Sequence, residues 1–462
     1  MATWTAVNNA NPSRASVPTV IPPPYPDQTS LVVIELLTAS VRLDPSTDRS
    51  VSELWCASNK KISLISFGSG CIIWEDSRLE EYHPFALVGL AVLGGYVFTS
   101  GVKGHICMWK AIHQQSEGDG NDEHYLELMT GFPISSGISK LRALGSTCTD
   151  EDLSKVASTP VLQNVSNTFL ASAMWAGSCD GTGAAGHKGM RYAIGIGALP
   201  SNEEEEQKLT HGVLWDPQMG PALCLEDCGR VVQKESGDDR LLFRLASGGG
   251  VLDDHAVRIW TFPDSVVEDW CDVDRPCAGI LLGHTGPVRI LQWLGGDTLA
   301  SADETQCVRI WNIVDNTPVA VLPGCCAFSI GNDLSIITMS GTRHSLVRIG
   351  NPLSGREEGP LSFAVADPEN DTTLSVWSCR SDGDDDDDGQ WRKTTSLITT
   401  SDEEKEDEKV WCVGRKLCSV PAKTYDDDDE QHLDAVFASV DYELHGEYDS
   451  RYACWVREHQ HH

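Results

Sequence analysis

The sequence predicts an all-β fold built from repeated antiparallel units, and two observations carry that prediction. The first is the stretch from Gly283 to Asn312, GHTGPVRILQWLGGDTLASADETQCVRIWN. It holds a Gly-His pair, an apolar run (Val288, Ile290, Leu291), a Gly-Gly-Asp turn and a second apolar run, Leu299 to Ala302. A polar turn and Val308-Arg309-Ile310-Trp311 complete it. Each run is short, rich in β-branched residues and bounded by turn residues, the mark of successive antiparallel strands and not of a helix. The second observation is recurrence. Val-Arg-Ile-Trp stands at 257–260 and again at 308–311, and Ile-Cys-Met-Trp at 106–109.

These units resemble the WD-repeat family of β-propellers, whose blades start near Gly-His and end at Trp-Asp. The resemblance implies a single WD-repeat-like β-propeller over about residues 30–456, with about seven blades of four antiparallel strands and long acidic loop insertions. Residues 1–29 are expected to be a disordered Pro-rich arm and 457–462 a tail. Insertions are expected near 111–135, 143–167, 198–211, 380–394, 400–409 and 422–432, where polar or like-charged runs break the pattern.

In chain order, Pro22-Pro23-Pro24-Tyr25 favours polyproline II and fits the Pro-Pro-x-Tyr pattern that WW domains grip. Leu31 to Leu43 reads as a strand, and the resemblance implies that it completes the last blade and locks the ring. Blade one is expected from Ser52, blade two from Ala86 to Trp109, and blade three at Thr168 to Ala176 paired with Met190 to Gly197. Blade four is expected to begin with Gly212-Val213-Leu214-Trp215 and to include Leu241 to Ser247 and Ala256 to Trp260. Blade five is the stretch already described. Ala327 to Ile330, Leu334 to Met339 and Ser345 to Ile349 are assigned to blade six, and Ala435 to Val440 with Arg451 to Val456 form the final pair.

Composition narrows the function. Lys and Arg number 35 against 68 Asp and Glu, a formal net charge of −33. A chain so acidic is not expected to bind nucleic acid directly, because phosphates need cationic side chains. The 16 cysteines do not form a disulfide framework: several sit inside predicted strands (Cys56, Cys71, Cys107, Cys307), and no signal-peptide core is present. The longest apolar stretch, Phe85 to Val97, is too short to span a bilayer. A soluble protein of the cytoplasm or nucleus is expected, with no membrane insertion.

The resemblance also implies a buried hydrogen-bond chain in each blade, from the Gly-His histidine to a strand Ser or Thr, a turn Asp and the Trp. Blade five supplies His284, Ser301 and Trp311, with Thr305 at the position of the Asp. Blade four supplies Asp254, Ser247 and Trp260 without an obvious Gly-His, and blade two supplies Trp109. Their expected role is to satisfy buried polar groups and stiffen the blades.

No catalytic residue, metal or cofactor is expected. Gly181-Thr182-Gly183-Ala184-Ala185-Gly186 matches a dinucleotide fingerprint only as a string, since the strand Arg191 to Ile194 follows it and not a helix. Lys188 lacks P-loop spacing. The run Asp384 to Asp388 lacks the alternation of a calcium loop. Cys224/Cys228, Cys271/Cys277 and Cys412/Cys418 lack the paired knuckles of a zinc site. An enzyme using a central channel would need His187, His211 or His255 to converge with carboxylates, and no spacing ties them together.

The expected function is a non-enzymatic interaction scaffold that binds other proteins on its faces, with oligomeric state open. Two acidic runs are candidate contacts for a partner with a basic surface, such as histones or ribosomal proteins. They are Asp384, Asp385, Asp386, Asp387 and Asp388, and Asp426, Asp427, Asp428 and Asp429. The string Thr400-Ser401-Asp402-Glu403-Glu404 suits an acidophilic kinase. A ubiquitin-ligase receptor is disfavoured, because Val314 and Pro263 stand where its adaptor motif needs a base.

Overall fold

Strand pairing in the computed structural model organises the chain into blades of one ring. The described residues lie within 4–6, 34–83, 87–144, 169–176, 191–198, 210–214, 222–323, 346–349, 361–366, 373–379, 391–398, 408–426, 429–444 and 447–458, short loops inside these ranges excepted. A first strand, β1 (Trp4–Ala6), stands apart from the rest in sequence. Blade one is β2 (Ile34–Asp44), β3 (Arg49–Ser58), β4 (Lys61–Ser66) and β5 (Ile72–Asp76). A one-turn helix, α1 (Leu79–Tyr82), leads to blade two: β6 (Leu87–Leu93), β7 (Tyr96–Gly101), β8 (His105–Gln114) and β9 (Glu123–Pro133). Blade three is β10 (Gly137–Leu144), β11 (Phe169–Ala176), β12 (Arg191–Ala198) and β13 (Thr210–Leu214). Blade four is β14 (Ala222–Lys234), β15 (Asp239–Gly249), β16 (Val257–Pro263) and β17 (Gly279–Leu281).

Blade five is β18 (Val288–Gly295), β19 (Thr298–Asp303), β20 (Cys307–Asn312) and β21 (Thr317–Pro323). Blade six is β22 (Leu346–Ile349), β23 (Leu361–Ala366), β24 (Thr373–Cys379) and β25 (Trp391–Ile398). Blade seven is β26 (Glu408–Asp426), β27 (Asp429–Leu444) and β28 (Glu447–Glu458), and β1 pairs with β28 as its fourth strand. Among the described residues this makes seven four-stranded antiparallel sheets. The first strand of each blade touches the first strand of the next, from β2 through β6, β10, β14, β18 and β22 to β26, and β26 returns to β2. That cyclic contact is the geometry of a closed β-propeller. The N-terminal strand is the outermost strand of the last blade and joins the two ends of the chain there.

The core lies between blades. Trp55, Leu64, Leu87, Val97 and Trp109 join blades one and two. Val257, Leu281, Leu291, Trp293 and Trp311 join blades four and five, and Ile290, Ile310, Phe363 and Trp391 join five and six. Polar ties add direction to the contact between four and five. Glu226 accepts from Gln292 Nε2 (3.0 Å) and the Trp293 amide (3.1 Å), and Arg244 donates to Gly296 O (2.6 Å) and Asp297 Oδ1 (3.0 Å). At the bulge between Asp227 and Arg230, Gly229 has φ +75° and its Cα faces the Trp293 ring, which a Cβ would approach to 2.6 Å. Only glycine fits that position.

Several expectations change. The strand at 34–44 is the innermost of blade one and not a lock on the last blade; the lock is Trp4–Ala6, inside the segment expected to be a disordered arm. Thr210–Leu214 closes blade three and does not open blade four, because it pairs with β12. Leu346–Ile349 is the first strand of blade six and not its third. The insertion expected at 111–135 contains β9, whose Leu126 is buried while Glu127 is exposed, the alternation that an outer strand needs on one face only. The insertion expected at 422–432 falls on the ends of β26 and β27, with Asp426 paired to Asp429 and with Asp427 and Asp428 outside the described residues; a long ladder in register overrides the local preference of a charged run. Strands also enter the edges of the insertions expected at 143–167, 198–211, 380–394 and 400–409. Pro22 to Tyr25, Gly181 to Gly186, His187, Lys188, Asp384 to Asp388 and Ser401 lie outside the described residues. Among the described residues, no helix is long and apolar enough to cross a membrane.

Candidate functional site

Three blades place a tryptophan and a hydroxyl in one relationship, set by register. Thr99 stands opposite Cys107, Ser247 opposite Arg258 and Ser301 opposite Arg309, each two residues before the tryptophan of the third strand. The indole on the same face then reaches the hydroxyl diagonally across the pair. Trp109 Nε1–H donates to Thr99 Oγ1 (3.0 Å), Trp260 to Ser247 Oγ (2.9 Å) and Trp311 to Ser301 Oγ (2.7 Å). All three indoles are buried.

Blade five extends this contact into a network. Gly283, at φ +145°, lets the chain turn closely over Arg309 and delivers His284 inward. His284 Nε2 lies 2.6 Å from Ser301 Oγ, and its Nδ1 lies 2.9 Å from Asp303 Oδ2. The Asp303 carboxylate can only accept, so Nδ1–H donates to it, and Ser301 Oγ, which accepts from the Trp311 indole, shares the hydrogen bond at Nε2. Asp303 accepts five donors in all. Oδ2 takes His284 and the Thr285 amide (3.3 Å), while Oδ1 takes the Thr305 amide (3.0 Å), the Thr305 hydroxyl (2.6 Å) and the Cys307 amide (3.2 Å). Burial pushes the Asp303 carboxyl up, but the hydrogen bonds from His284, Thr305 and Cys307 and the charge of His284 outweigh it and hold the group well below the usual carboxylate range.

Asp303 is the residue that spacing missed. Spacing gives the place of the turn acid to Thr305, two positions later; the structure brings His284, Ser301, Asp303 and Trp311 together. Its signal was present in the turn Asp303-Glu304-Thr305, where an Asp before a short turn caps the following amides. His83 was missed as well, because Tyr82 and not Gly precedes it. Its Nε2 lies 2.8 Å from Thr99 Oγ1, and Gly101 stands where blade five has its Asp. Asp254 does not join the Trp260–Ser247 pair; it ion-pairs with Arg258 at 2.8 Å. The turn of blade four is longer than that of blade five, so its carboxylate falls beside the arginine.

Serine, histidine and aspartate at hydrogen-bond distance, in that order, have the connectivity of a nucleophile, its base and the group that orients the base. Burial decides against that chemistry. Ser301 and Asp303 are 0% exposed, so no substrate reaches the hydroxyl, which also accepts from the Trp311 indole. The cluster ties the entry loop, the turn and two strands of one blade together. His255 precedes β16 of blade four and His211 lies on the outermost strand of blade three, so these two do not share a strand end. Among the described residues, no group of three His, Cys, Asp or Glu is placed to hold a metal ion.

Solved structures similar to this chain include the WD40 repeats of RRP9, at 12% identity and a TM-score of 0.47, covering 93% of this chain and 98% of that one. They also include U3-55K, at 12% identity and a TM-score of 0.46, covering 94% and 99% of the two chains. The C-terminal WD40 domain of Sif2 has 14% identity and a TM-score of 0.42, covering 94% of this chain and 83% of that domain. No family model and no curated protein matches the sequence.

Proposed function

We propose that this protein is a non-enzymatic interaction scaffold, a rigid ring that presents its loops and faces to other proteins within an assembly. The observation that carries this reading is the buried His284–Ser301–Asp303–Trp311 network. The set of side chains best arranged for catalysis is sealed from solvent and spent on fixing a blade. A ring closed by cross-blade packing holds its surface loops at fixed separations, which suits simultaneous binding of several partners. The test is capture of partners from native lysate by the full chain at low and high salt, identified by mass spectrometry. A fixed set of proteins retained at high salt supports the scaffold; no reproducible partner at either salt sinks it.

A variant reading, in which acidic surface recruits a basic partner, draws support from the β26–β27 hairpin. β28 pairs with β27 only as far as Leu433, whereas β26 continues the ladder to Asp429. The first four residues of β27 therefore extend about 13 Å beyond the third strand, and Asp426 and Asp429 sit at the tip. Partners of high isoelectric point recovered only at low salt, and lost when Asp426 to Asp429 are changed to Asn, would favour this variant. Equal recovery by that variant protein would remove it.

A further inference from the structure

The Val-Arg-Ile-Trp segments of blades four and five occupy equivalent positions. Ser247, Arg258 and Ile280 stand opposite one another across β15, β16 and β17, as Ser301, Arg309 and Val321 do across β19, β20 and β21. The two arginines differ in what they meet. Arg258 Nη1 lies 2.8 and 2.9 Å from the two carboxylate oxygens of Asp254, four residues earlier. Four residues before Arg309 stands Thr305, whose hydroxyl is committed to Asp303. A buried Nε without a hydrogen-bond partner is common to the two arginines; what sets Arg309 apart is that, among the described residues, no carboxylate pairs with it, and its Cζ lies 5.9 Å from the Trp311 ring centre. A buried guanidinium donor without an acceptor is costly to keep.

The surface around Arg309 is apolar and open. Val319 and Val321 are 57% and 45% exposed on β21; Val321 stands opposite Arg309, and Val319 lies two residues earlier, at the irregularity of that pairing. Leu282 is 73% exposed and precedes Gly283, where a Cβ would stand 3.1 Å from Arg309 Nη1. β21 is the outermost strand of its sheet, which leaves an edge along which an extended chain can lie. One unmatched cation among aliphatic side chains calls for a ligand with one carboxylate among aliphatic side chains. The overall charge of −33 supplies no long-range attraction for such a ligand, so recognition must come from the local pair.

We infer that the rim of blade five docks an extended acidic and aliphatic segment of a partner protein. A carboxylate of that segment pairs with Arg309, and its flanking side chains cover Leu282, Val319 and Val321. This inference rests on the scaffold reading and names one of its surfaces and the chemistry of one partner. It differs in sign from the basic partner of the acidic hairpin.

The experiment is selection of random displayed peptides on the full chain, then titration of an enriched peptide against wild type, Arg309→Gln and Val321→Glu, each with its melting temperature. The expected result is enrichment of Asp or Glu next to Val, Ile or Leu, with affinity about tenfold or more weaker in both variants. Val321 is exposed, so Val321→Glu carries the test even where Arg309→Gln lowers the melting temperature. Acidic peptides that bind both variants as well as wild type, or enrichment only of peptides indifferent to both, would overturn the inference while leaving the scaffold intact. No selected peptide, together with no partner in the salt-graded capture, would overturn both.

Discussion

His284 Nδ1 lies 2.9 Å from Asp303 Oδ2, so the residue that ends the second strand of blade five fixes the loop that leads into its first. Removing Asp303 frees five donors at once, whereas removing His284 frees one carboxylate oxygen that retains the Thr285 amide. Asp303→Ala is therefore expected to cost about 3 kcal/mol or more, and His284→Ala about 1–3 kcal/mol. Denaturant melts of both, and of the double variant, give the answer. The double variant should cost less than the sum, because the two groups share a bond. Full additivity would break the network assignment.

The same carboxylate predicts a pH dependence. Asp303 has a folded pKa below its ordinary 3.8, so its stabilisation is complete above that value and is lost as pH falls from it toward the lower folded value. The stability gap between wild type and Asp303→Asn should be constant near neutral pH and narrow below about pH 4. Urea melts at a series of pH values test this; a gap that widens on acidification would contradict the sign.

Cys107 is 1% exposed, and burial pushes its thiol up to about 11. The native protein should resist alkylation at Cys107 at pH 8 and become reactive there only on unfolding. Because the folded pKa is raised above 9.0, the linked stability is present below that value and declines as pH rises from it toward 11. Mass mapping after a short iodoacetamide pulse, native against urea-unfolded, reads the first effect directly.

Gly229→Ala is expected to loosen the joint between blades four and five. The left-handed backbone and the Trp293 ring both oppose a Cβ, and a loss of about 2–4 kcal/mol with reduced Trp fluorescence shift on unfolding follows. An unchanged melting temperature would remove the bulge as a fixed point.

The third strands were readable because a Trp closes a short apolar run and a hydroxyl stands ten residues earlier, Ser301 before Trp311 and Thr99 before Trp109. Ser247 lies thirteen residues before Trp260, and that longer turn drew attention to Asp254, whose partner proved to be Arg258. Blade boundaries were harder. Leu346–Ile349 and Thr210–Leu214 each read as strands, yet which blade owns a strand depends on pairing with distant residues and not on local pattern. Charge was the weakest guide. Asp426 and Asp429 pair across a hairpin whose register is set many residues away, so the two ends of a run that reads as free loop belong to the ladder. Trp4–Ala6 carried no signal, since three residues are too few to show a period.

The claim on which the account depends is that the Ser301–His284–Asp303 set holds a blade and performs no chemistry. The most direct measurement is labelling of the native chain with a fluorophosphonate serine reagent, mapped by mass spectrometry, beside thermal melts of wild type and Ser301→Ala. The account predicts no adduct on Ser301 and a lower melting temperature for the variant. Stoichiometric modification of Ser301, with a variant as stable as wild type, would contradict it.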